Sequence, residues 1–432
     1  MFTVLMVLGF AAATFLFPRY VEKGGLAQRS GTLLLGAYTV RLVIMALATY
    51  AEVPILAATG GDCETYEWWA WAVARRWMMK DDLEFIDDGS SSLRGASLPI
   101  NVFALVFYAN GEASRLAATA LIAGLACLTA YNLYTLAVEF GADPQLSFRA
   151  LLLQLFIPGY LVYTSNMYKD GIVAFLVITA FGAGMRLSRT LSATQAIIAF
   201  VSMIALYYTR FYMVVMTGLP LLTGLMSAKQ GGVVRRLVVP AVLLVAVGIG
   251  GSTKLADELT EQMEHAYEVA SDSDVQAWNS GAAVGSRAGS GVQFDDGGDP
   301  FASLGPKIAY TLFSPFPWTG GSFALQIGKF DALIWYYLFY RMLLGAKRLW
   351  KNDKQLLVIF VSFLVPSTVA YATTMSNIGL IVRQRIPVVM VGVLLAMMSW
   401  PKKDEVPVEV DVPAPTPPEE GTEPAPLATP AE

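Results

Sequence analysis

Most of the residues that could do chemistry are charged side chains at the ends of apolar stretches. Arginine offers planar, bidentate donors to phosphate oxygens, and lysine offers a compact positive charge. A carboxylate can accept a proton from a hydroxyl group or bind a divalent cation. Cations and carboxylates together therefore suit a site that holds a phosphate and activates a hydroxyl. The candidates of this kind are Asp62, Glu64, Lys169, Asp170, Arg210, Arg383 and Arg385.

The elements that must position these residues are membrane-spanning helices. Of the 432 residues, 55% are hydrophobic and 15% are charged, against about 25% charged in an ordinary soluble domain. Several segments approach the ~20 apolar residues that cross a bilayer. We therefore predict an all-α, polytopic transmembrane helical bundle. The same figures, with only two cysteines, exclude a soluble enzyme, a disulfide-stapled secreted domain and a nucleic-acid-binding protein.

About eleven segments, within a range of ten to twelve, are predicted to cross the membrane. Whether the short apolar run 98–108 also crosses stays open, and the orientation given below requires that it dips into the membrane or lies on it. Tyr66–Met79, with four tryptophans, resembles an interfacial amphipathic helix. The predicted spans are 1–17, 31–50, 116–138, 149–164, 171–187, 191–208, 211–228, 237–251, 330–346, 355–373 and 386–400.

The distribution of lysine and arginine predicts the orientation of these spans. Five basic groups fall on one side when crossings are counted, and the positive-inside rule makes that side cytoplasmic. Residues 1–400 are then a transmembrane domain with two long outer loops, 51–97 and 252–329. Residues 401–432, acidic and rich in proline, are predicted to be a disordered cytoplasmic tail. The basic groups are Arg19/Lys23/Arg29, Arg186/Arg189, Lys229/Arg235/Arg236, Lys347/Arg348/Lys351/Lys354 and Lys402/Lys403.

Each candidate residue also has a simpler structural role. Asp62 could cap the helix that follows it, and Asp170 could cap the next span while Lys169 reaches the lipid headgroups. Arg210, in a tight link between spans, could anchor to headgroups. The two arginines before the last span run against the positive-inside rule, which favours a functional role for them.

The order of motifs resembles that of bacterial multispanning glycosyltransferases of the GT-C type, particularly the family 39-like enzymes that depend on polyprenyl phosphate. The likeness runs loosely from Thr59 to Pro387. The motifs that carry it are Asp62-x-x-x-Tyr66 with the aromatic helix after it, Phe107–Arg115, Tyr168-Lys169-Asp170, Pro315–Trp318 and Arg383-x-Arg385-x-Pro387.

The resemblance implies transfer of a sugar, with inversion, from a polyprenyl-phosphate donor to a glycan, lipid or protein acceptor. The reaction would take place on the outer, periplasmic or extracellular, face of a bacterial inner membrane. Asp62, with Glu64, would be catalytic, and a divalent cation (Mg²⁺ or Mn²⁺) is a possible cofactor. The substrate-binding residues implied are Tyr66, Arg94, Lys169, Asp170, Arg210, Trp318, Arg383 and Arg385.

Two other functions stay open from the sequence. A repeat-unit polymerase or ligase that joins lipid-linked glycans would rely more on the outer loop 252–329. A flippase or transporter of lipid-linked sugars would need charges deep inside the spans. Only Arg41 lies near the middle of a predicted span, whereas Lys329, Asp331 and Arg341 lie closer to an end.

Overall fold

All regular structure that the computed structural model describes is helical. It describes residues 2–21, 25–53, 61–87, 95–227, 303–320, 323–374 and 378–402. Within these ranges no β-strand forms, and an isolated bridge joins Ala142 to Pro401. The all-α prediction is therefore confirmed for the described chain. The predicted span 237–251, Arg94, most of the loop 252–329 and the tail from residue 403 lie outside the described residues.

Fifteen helices occupy the described ranges. They are α1 (Phe2–Val21), α2 (Gly25–Thr49), α3 (Gly61–Lys80), α4 (Ser97–Asn110), α5 (Arg115–Glu139), α6 (Pro144–Phe156), α7 (Pro158–Tyr163), α8 (Lys169–Arg189), α9 (Ala193–Tyr207), α10 (Tyr212–Met226), α11 (Leu304–Phe313), α12 (Phe323–Asn352), α13 (Lys354–Thr374), α14 (Ile378–Gln384) and α15 (Ile386–Met397).

Five of the described helices are long and apolar enough to cross a membrane: α1, α2, α5, α8 and α13. Helices α4, α9, α10 and α15 are apolar but have only 10–17 residues. The predicted total of about eleven spans is therefore not established. Exposed apolar stripes run along several helices, as on α12 at Phe330, Leu333, Tyr337 and Tyr340. Such stripes are compatible with a membrane protein, because exposed apolar surface is unfavourable in water but not in lipid.

Helix α8 is the centre of the bundle. It packs against α5, α9 and α10, and it is the most deeply buried of the five long apolar helices. Its contact with α10 depends on two facing glycines, because a Cβ atom added to Gly224 would lie 2.4 Å from the carbonyl oxygen of Gly184. Small residues at a crossing of this kind let two backbones approach closely. The position of α8 matters because Lys169 and Asp170 form its first turn.

The predicted span 149–164 is not one continuous helix, because α6 ends at Phe156 and α7 begins at Pro158. Proline has no N–H and pushes the preceding residue into an extended conformation, and Ile157 accordingly has φ −56° and ψ 122°. Cys63 lies in the first turn of α3, which begins at Gly61, and is completely buried.

The candidate residues collect at one end of the bundle. Helices α5, α8 and α15 all begin there, with Arg115, Asp170 and Arg385 at or near their first residues. The other ends of α5 and α8 meet where Glu139 pairs with Arg186 at 2.8 Å. The sixteen steps along α8 from Asp170 to Arg186 correspond to about 24 Å at 1.5 Å per residue. The bundle thus has a site end and an opposite, basic end.

Candidate functional site

Asp170 is bound by two arginines from distant parts of the chain. Arg210, in the link between α9 and α10, donates from Nη2 to Asp170 Oδ1 at 2.8 Å. Arg383, near the end of α14, donates from Nε to Asp170 Oδ2 at 2.6 Å. The Asp170 side chain is only 1% exposed. Because an unpaired charge is costly to bury, this carboxylate and its two guanidinium groups form one mutually dependent unit.

Asp62 binds the outer side of the same unit. Its Oδ2 accepts a hydrogen bond from Nη1 of Arg383, so Arg383 bridges two carboxylates. The Asp62 side chain is 52% exposed, whereas that of Arg383 is 14% exposed. Asp62 is therefore the member of the cluster that water or a substrate can reach. Its place in the first turn of α3 also suits a negative charge, since the positive end of the helix dipole lies there.

Two tyrosines flank Arg383. The guanidinium carbon lies 4.9 Å from the ring centre of Tyr168 and 5.7 Å from that of Tyr163. The two rings contact each other edge to face at 5.7 Å. Cation–π contacts of this kind hold an arginine in place without using its hydrogen-bond donors. The two rings thus fix the orientation of Arg383 without occupying its terminal nitrogens, of which Nη1 binds Asp62.

Lys169 joins the site to the loop before α4. Its Nζ donates to the carbonyl oxygen of Gly95 at 2.8 Å. Gly95 has φ +67°, a left-handed conformation that other residues rarely adopt. The same loop is fixed by a hydrogen bond of 3.0 Å from the backbone N–H of Leu98 to the carbonyl of Tyr208. Lys169 therefore lies beside Asp170 with its ammonium group facing this loop.

By formal charge, the cations of the cluster (Lys169, Arg210 and Arg383) exceed its carboxylates (Asp62 and Asp170) by one. Burial alone would lower the pKa of Arg383, but the carboxylates of Asp170 and Asp62 outweigh that effect and raise the pKa. Arg383 is consequently cationic at every physiological pH. Arg210 has a spare donor, because its buried Nη1 has no hydrogen-bond partner among the described residues.

Arg385 lies two residues from Arg383 but belongs to a different network. It is 3% exposed and binds Asp331 of α12 at 3.2 Å. Its Nη1 also donates to three carbonyl oxygens at the end of α11, the shortest bond being 2.7 Å to Ser314. All these partners are protein groups, so Arg385 joins α11, α12 and the start of α15.

The other predicted site residues differ in their surroundings. Glu64 is exposed on α3, and Tyr66 is buried, packing against Phe103 of α4. Burial raises the pKa of Tyr66 above its ordinary value, so it remains a neutral phenol. Trp318 is 78% exposed and stacks on Phe316 at 5.0 Å. No contact joins Trp318 to the arginine cluster among the described residues.

Sequence reasoning missed the aromatic side of the site. Tyr168 stood beside Lys169 in a quoted motif, but nothing in the spacing indicated that its ring would face an arginine. Tyr163 lay inside an apolar run and gave no signal at all. A buried arginine in a membrane protein needs partners. The aromatic residues near the charged end of α8 could have been considered as such partners on that ground alone.

The described part of the site does not fit a divalent cation. Mg²⁺ and Mn²⁺ bind through several oxygen ligands, and both carboxylates here are bound to arginine. No group of three potential metal-binding side chains occurs in the ranges that the structure describes.

The arrangement is suited to binding an anion beside an accessible carboxylate. Comparison with known proteins adds no assignment: the chain matches no protein-family model. It also has no significant match among curated proteins.

Proposed function

We propose that this protein is a membrane glycosyltransferase that moves a sugar from a polyprenyl-phosphate donor to an acceptor hydroxyl. One observation carries the proposal: the accessible carboxylate of Asp62 contacts the guanidinium of Arg383, which a buried Asp170–Arg210 pair anchors. Such a site offers cations for a phosphate and a base for a hydroxyl. These are the two requirements of this reaction.

The donor phosphate takes the place of Asp62 on Arg383. An oxygen of the phosphate accepts the Nη1 hydrogen bond, and the spare Nη1 donor of Arg210 and the ammonium of Lys169 add to the positive field. Arg383 does not move away during this exchange, because Asp170 holds its Nε. Phosphate binding therefore releases Asp62 next to the anomeric carbon.

Asp62 then acts as the general base. The acceptor hydroxyl loses its proton to Asp62 as its oxygen forms a bond to the anomeric carbon. The bond between that carbon and the phosphate oxygen breaks on the opposite side, and its electron pair leaves with the polyprenyl phosphate. The arginines stabilise the negative charge that grows on the leaving group in the transition state. The product has the inverted anomeric configuration.

The site end of the bundle is the outer face in this proposal. Arg186, Lys351 and Lys402 lie at the opposite end, as the positive-inside rule expects of the cytoplasmic side. At the site end, the exposed Trp318 stacks on the half-buried Phe316, an aromatic pair suited to the headgroup layer. A donor with its polyprenyl chain in the membrane would thus present its phosphate at the correct depth.

The buried charges inside the bundle favour the flippase alternative less than they favour the transferase. Arg41 is completely buried, but its donors are used by Thr164 and by the carbonyls of Ala37 and Leu155. Asp331 and Arg385 pair with each other. Because these groups are consumed by protein partners, they are poorly placed to line a path for a polar headgroup.

The test is sugar transfer by the purified full chain in lipid nanodiscs. Polyprenyl-phosphate glucose, mannose and galactose are supplied as donors with acceptor extracts from the source membranes, and products are identified by mass spectrometry. Asp62→Asn should lower the rate by at least about 100-fold, the typical contribution of a general base. Glu84→Gln is the matched control, since Glu84 is an exposed acid that pairs only with Arg76 at 3.1 Å in the described structure.

Full activity in Asp62→Asn would refute the assigned base. Transfer from none of the donors would contradict the proposal as a whole. A parallel reaction with a lipid-linked oligosaccharide donor tests the polymerase or ligase alternative, which predicts transfer of the whole oligosaccharide. Movement of an intact fluorescent lipid-linked sugar across the bilayer would instead support a flippase.

A further inference from the structure

The break between α6 and α7 is stabilised by two charged residues from other helices. In a continuous helix the N–H of Gly159 would donate to the carbonyl of Leu155, four residues earlier. Here the Gly159 N–H donates to Asp331 Oδ1 of α12 at 2.8 Å. The Leu155 carbonyl accepts from Nη2 of Arg41 in α2 at 3.0 Å. An acid and a base thus replace the two halves of one lost helical hydrogen bond.

Arg41 contacts α7 at more than one point. Its Nε donates to Thr164 Oγ1, just after α7, at 2.8 Å, and its guanidinium lies 5.3 Å from the ring centre of Tyr160 within α7. Arg41 is completely buried, and no carboxylate pairs with it among the described residues. Burying an unpaired guanidinium is costly, so the stability of α2 alone does not explain an arginine at this position. A requirement to hold α7 in place does explain it.

Asp331 binds the start of α7 and is itself held in place. Its second oxygen is bound by Arg385 at 3.2 Å, and Arg385 is itself fixed to the carbonyls that end α11. The approach to α7 is close, because a Cβ atom added to Gly159 would lie 2.9 Å from Asp331 Oδ1. The start of α7 therefore has one available position.

The helix held in this way leads directly to the candidate site. Tyr163 is the last residue of α7, and its ring contacts both Tyr168 and the guanidinium of Arg383. A shift of α7 would move the aromatic surface on which Arg383 rests. In broken membrane helices the irregular backbone is tolerated where protein groups satisfy it, and such breaks often adjoin binding sites.

We propose that Arg41 and Asp331 are positioning residues that hold the α6–α7 break and so fix Tyr163 and Arg383 for anion binding. The ligand in this inference rests on the proposed function, because it is the phosphate of the polyprenyl donor. Neither residue belongs to the cluster around Arg383, and the two act from different helices, α2 and α12.

The test compares binding and kinetics in variants of the full chain in nanodiscs. Undecaprenyl phosphate binding is measured by thermal shift, and KM and kcat are measured with the active polyprenyl-phosphate sugar. Arg41→Lys keeps the charge but loses the branched set of donors, and Gly159→Ala presses on Asp331 from the other side. Both should weaken undecaprenyl phosphate binding and raise the donor KM about tenfold with little change in kcat, as expected for lost positioning of a binding group.

A double variant, Arg41→Lys with Arg383→Ala, tests whether the effect of Arg41 passes through Arg383. In an Arg383→Ala background, Arg41→Lys should add no further increase in KM, because residues that act through one another are not additive. Arg186→Lys, at the basic end of α8, is the matched control and should leave both readouts unchanged. Additive effects of Arg41→Lys and Arg383→Ala, or an unchanged KM and unchanged binding in folded Arg41→Lys and Gly159→Ala, would overturn the inference.

The two proposals fail in different ways. If no sugar is transferred but Arg41→Lys still weakens undecaprenyl phosphate binding, the proposed activity is wrong and the positioning role stands. If transfer occurs and the variants bind donor normally, the activity stands and the positioning role is wrong. If wild-type protein does not bind undecaprenyl phosphate, both are overturned.

Discussion

Arg383 donates from Nε to Asp170 at 2.6 Å, although 213 positions separate the two residues in the sequence. Arg383 also binds Asp62, so it divides its donors between a carboxylate that is 1% exposed and one that is 52% exposed. The first pair is shielded from water and fixes the guanidinium. The second pair is screened by solvent and can exchange. This difference in burial gives the two aspartates separate roles.

Asp170→Asn should destabilise the fold. The substitution removes the charge that compensates two buried guanidinium groups, and breaking a buried ion pair typically costs about 3–5 kcal/mol. Thermal unfolding in detergent should therefore show a clear loss of stability. Asp353→Asn is the control, since Asp353 accepts from the N–H of Leu356 at the start of α13 and asparagine caps a helix as well as aspartate. Equal stability in the two variants would contradict the structural role of Asp170.

Asp62→Asn should bind undecaprenyl phosphate more tightly than wild type does, while losing transfer. Asp62 competes with the phosphate for Arg383, and removing an exposed ion pair of up to about 1 kcal/mol corresponds to at most a fivefold gain in affinity. Titration by thermal shift at constant ionic strength measures this gain. Glu64→Gln, an exposed acid two residues away, controls for the general loss of negative charge. Weaker binding in Asp62→Asn alone would rule out the exchange.

Sequence reasoning could predict the fold class and the set of charged candidates, but not how the charges pair. Helical structure follows from long apolar runs, and a scarcity of charge makes each remaining charge conspicuous. Asp62, Asp170, Arg210 and Arg383 do meet, yet no local pattern links residues so far apart. The different environment of Arg385 was equally unpredictable, because α14 ends between the two arginines and Arg385 lies in the turn before α15.

The break at Pro158 shows why the number of spans was harder to predict. Hydropathy alone read 149–164 as one apolar run, and a proline within such a run is compatible with a kinked span or with two separate helices. The outcome depends on whether side chains elsewhere can satisfy the freed backbone groups. Arg41 and Asp331 do so here, from positions more than a hundred residues away on either side.

Cys63 should resist thiol reagents in the intact protein. Burial raises the pKa of its thiol to about 12, and only the thiolate reacts readily. At pH 8 maleimide should therefore leave Cys63 unlabelled until detergent denaturation, in a background where Cys127→Ala removes the other cysteine. Glu64→Cys with Cys63→Ala is the exposed control, and its rate should rise with pH up to an ordinary thiol pKa of about 8.5. Rapid labelling of native Cys63 at pH 8 would contradict the packing of α3.

Single cysteines at the two ends of α12 should report opposite sides of the membrane. Trp318 lies beside the start of α12, because Pro315 packs on Gly328, and Trp350 lies near its end. Both tryptophans are exposed, at 78% and 63%, so cysteines there are accessible to reagents. In a cysteine-free background, a membrane-impermeant maleimide added to intact cells should label Trp318→Cys and should label Trp350→Cys only after permeabilisation. The two substitutions control each other, since both replace an exposed tryptophan on the same helix or its flank. The reverse pattern would place the Asp62–Arg383 site in the cytoplasm, where a donor presented at the outer face could not reach it.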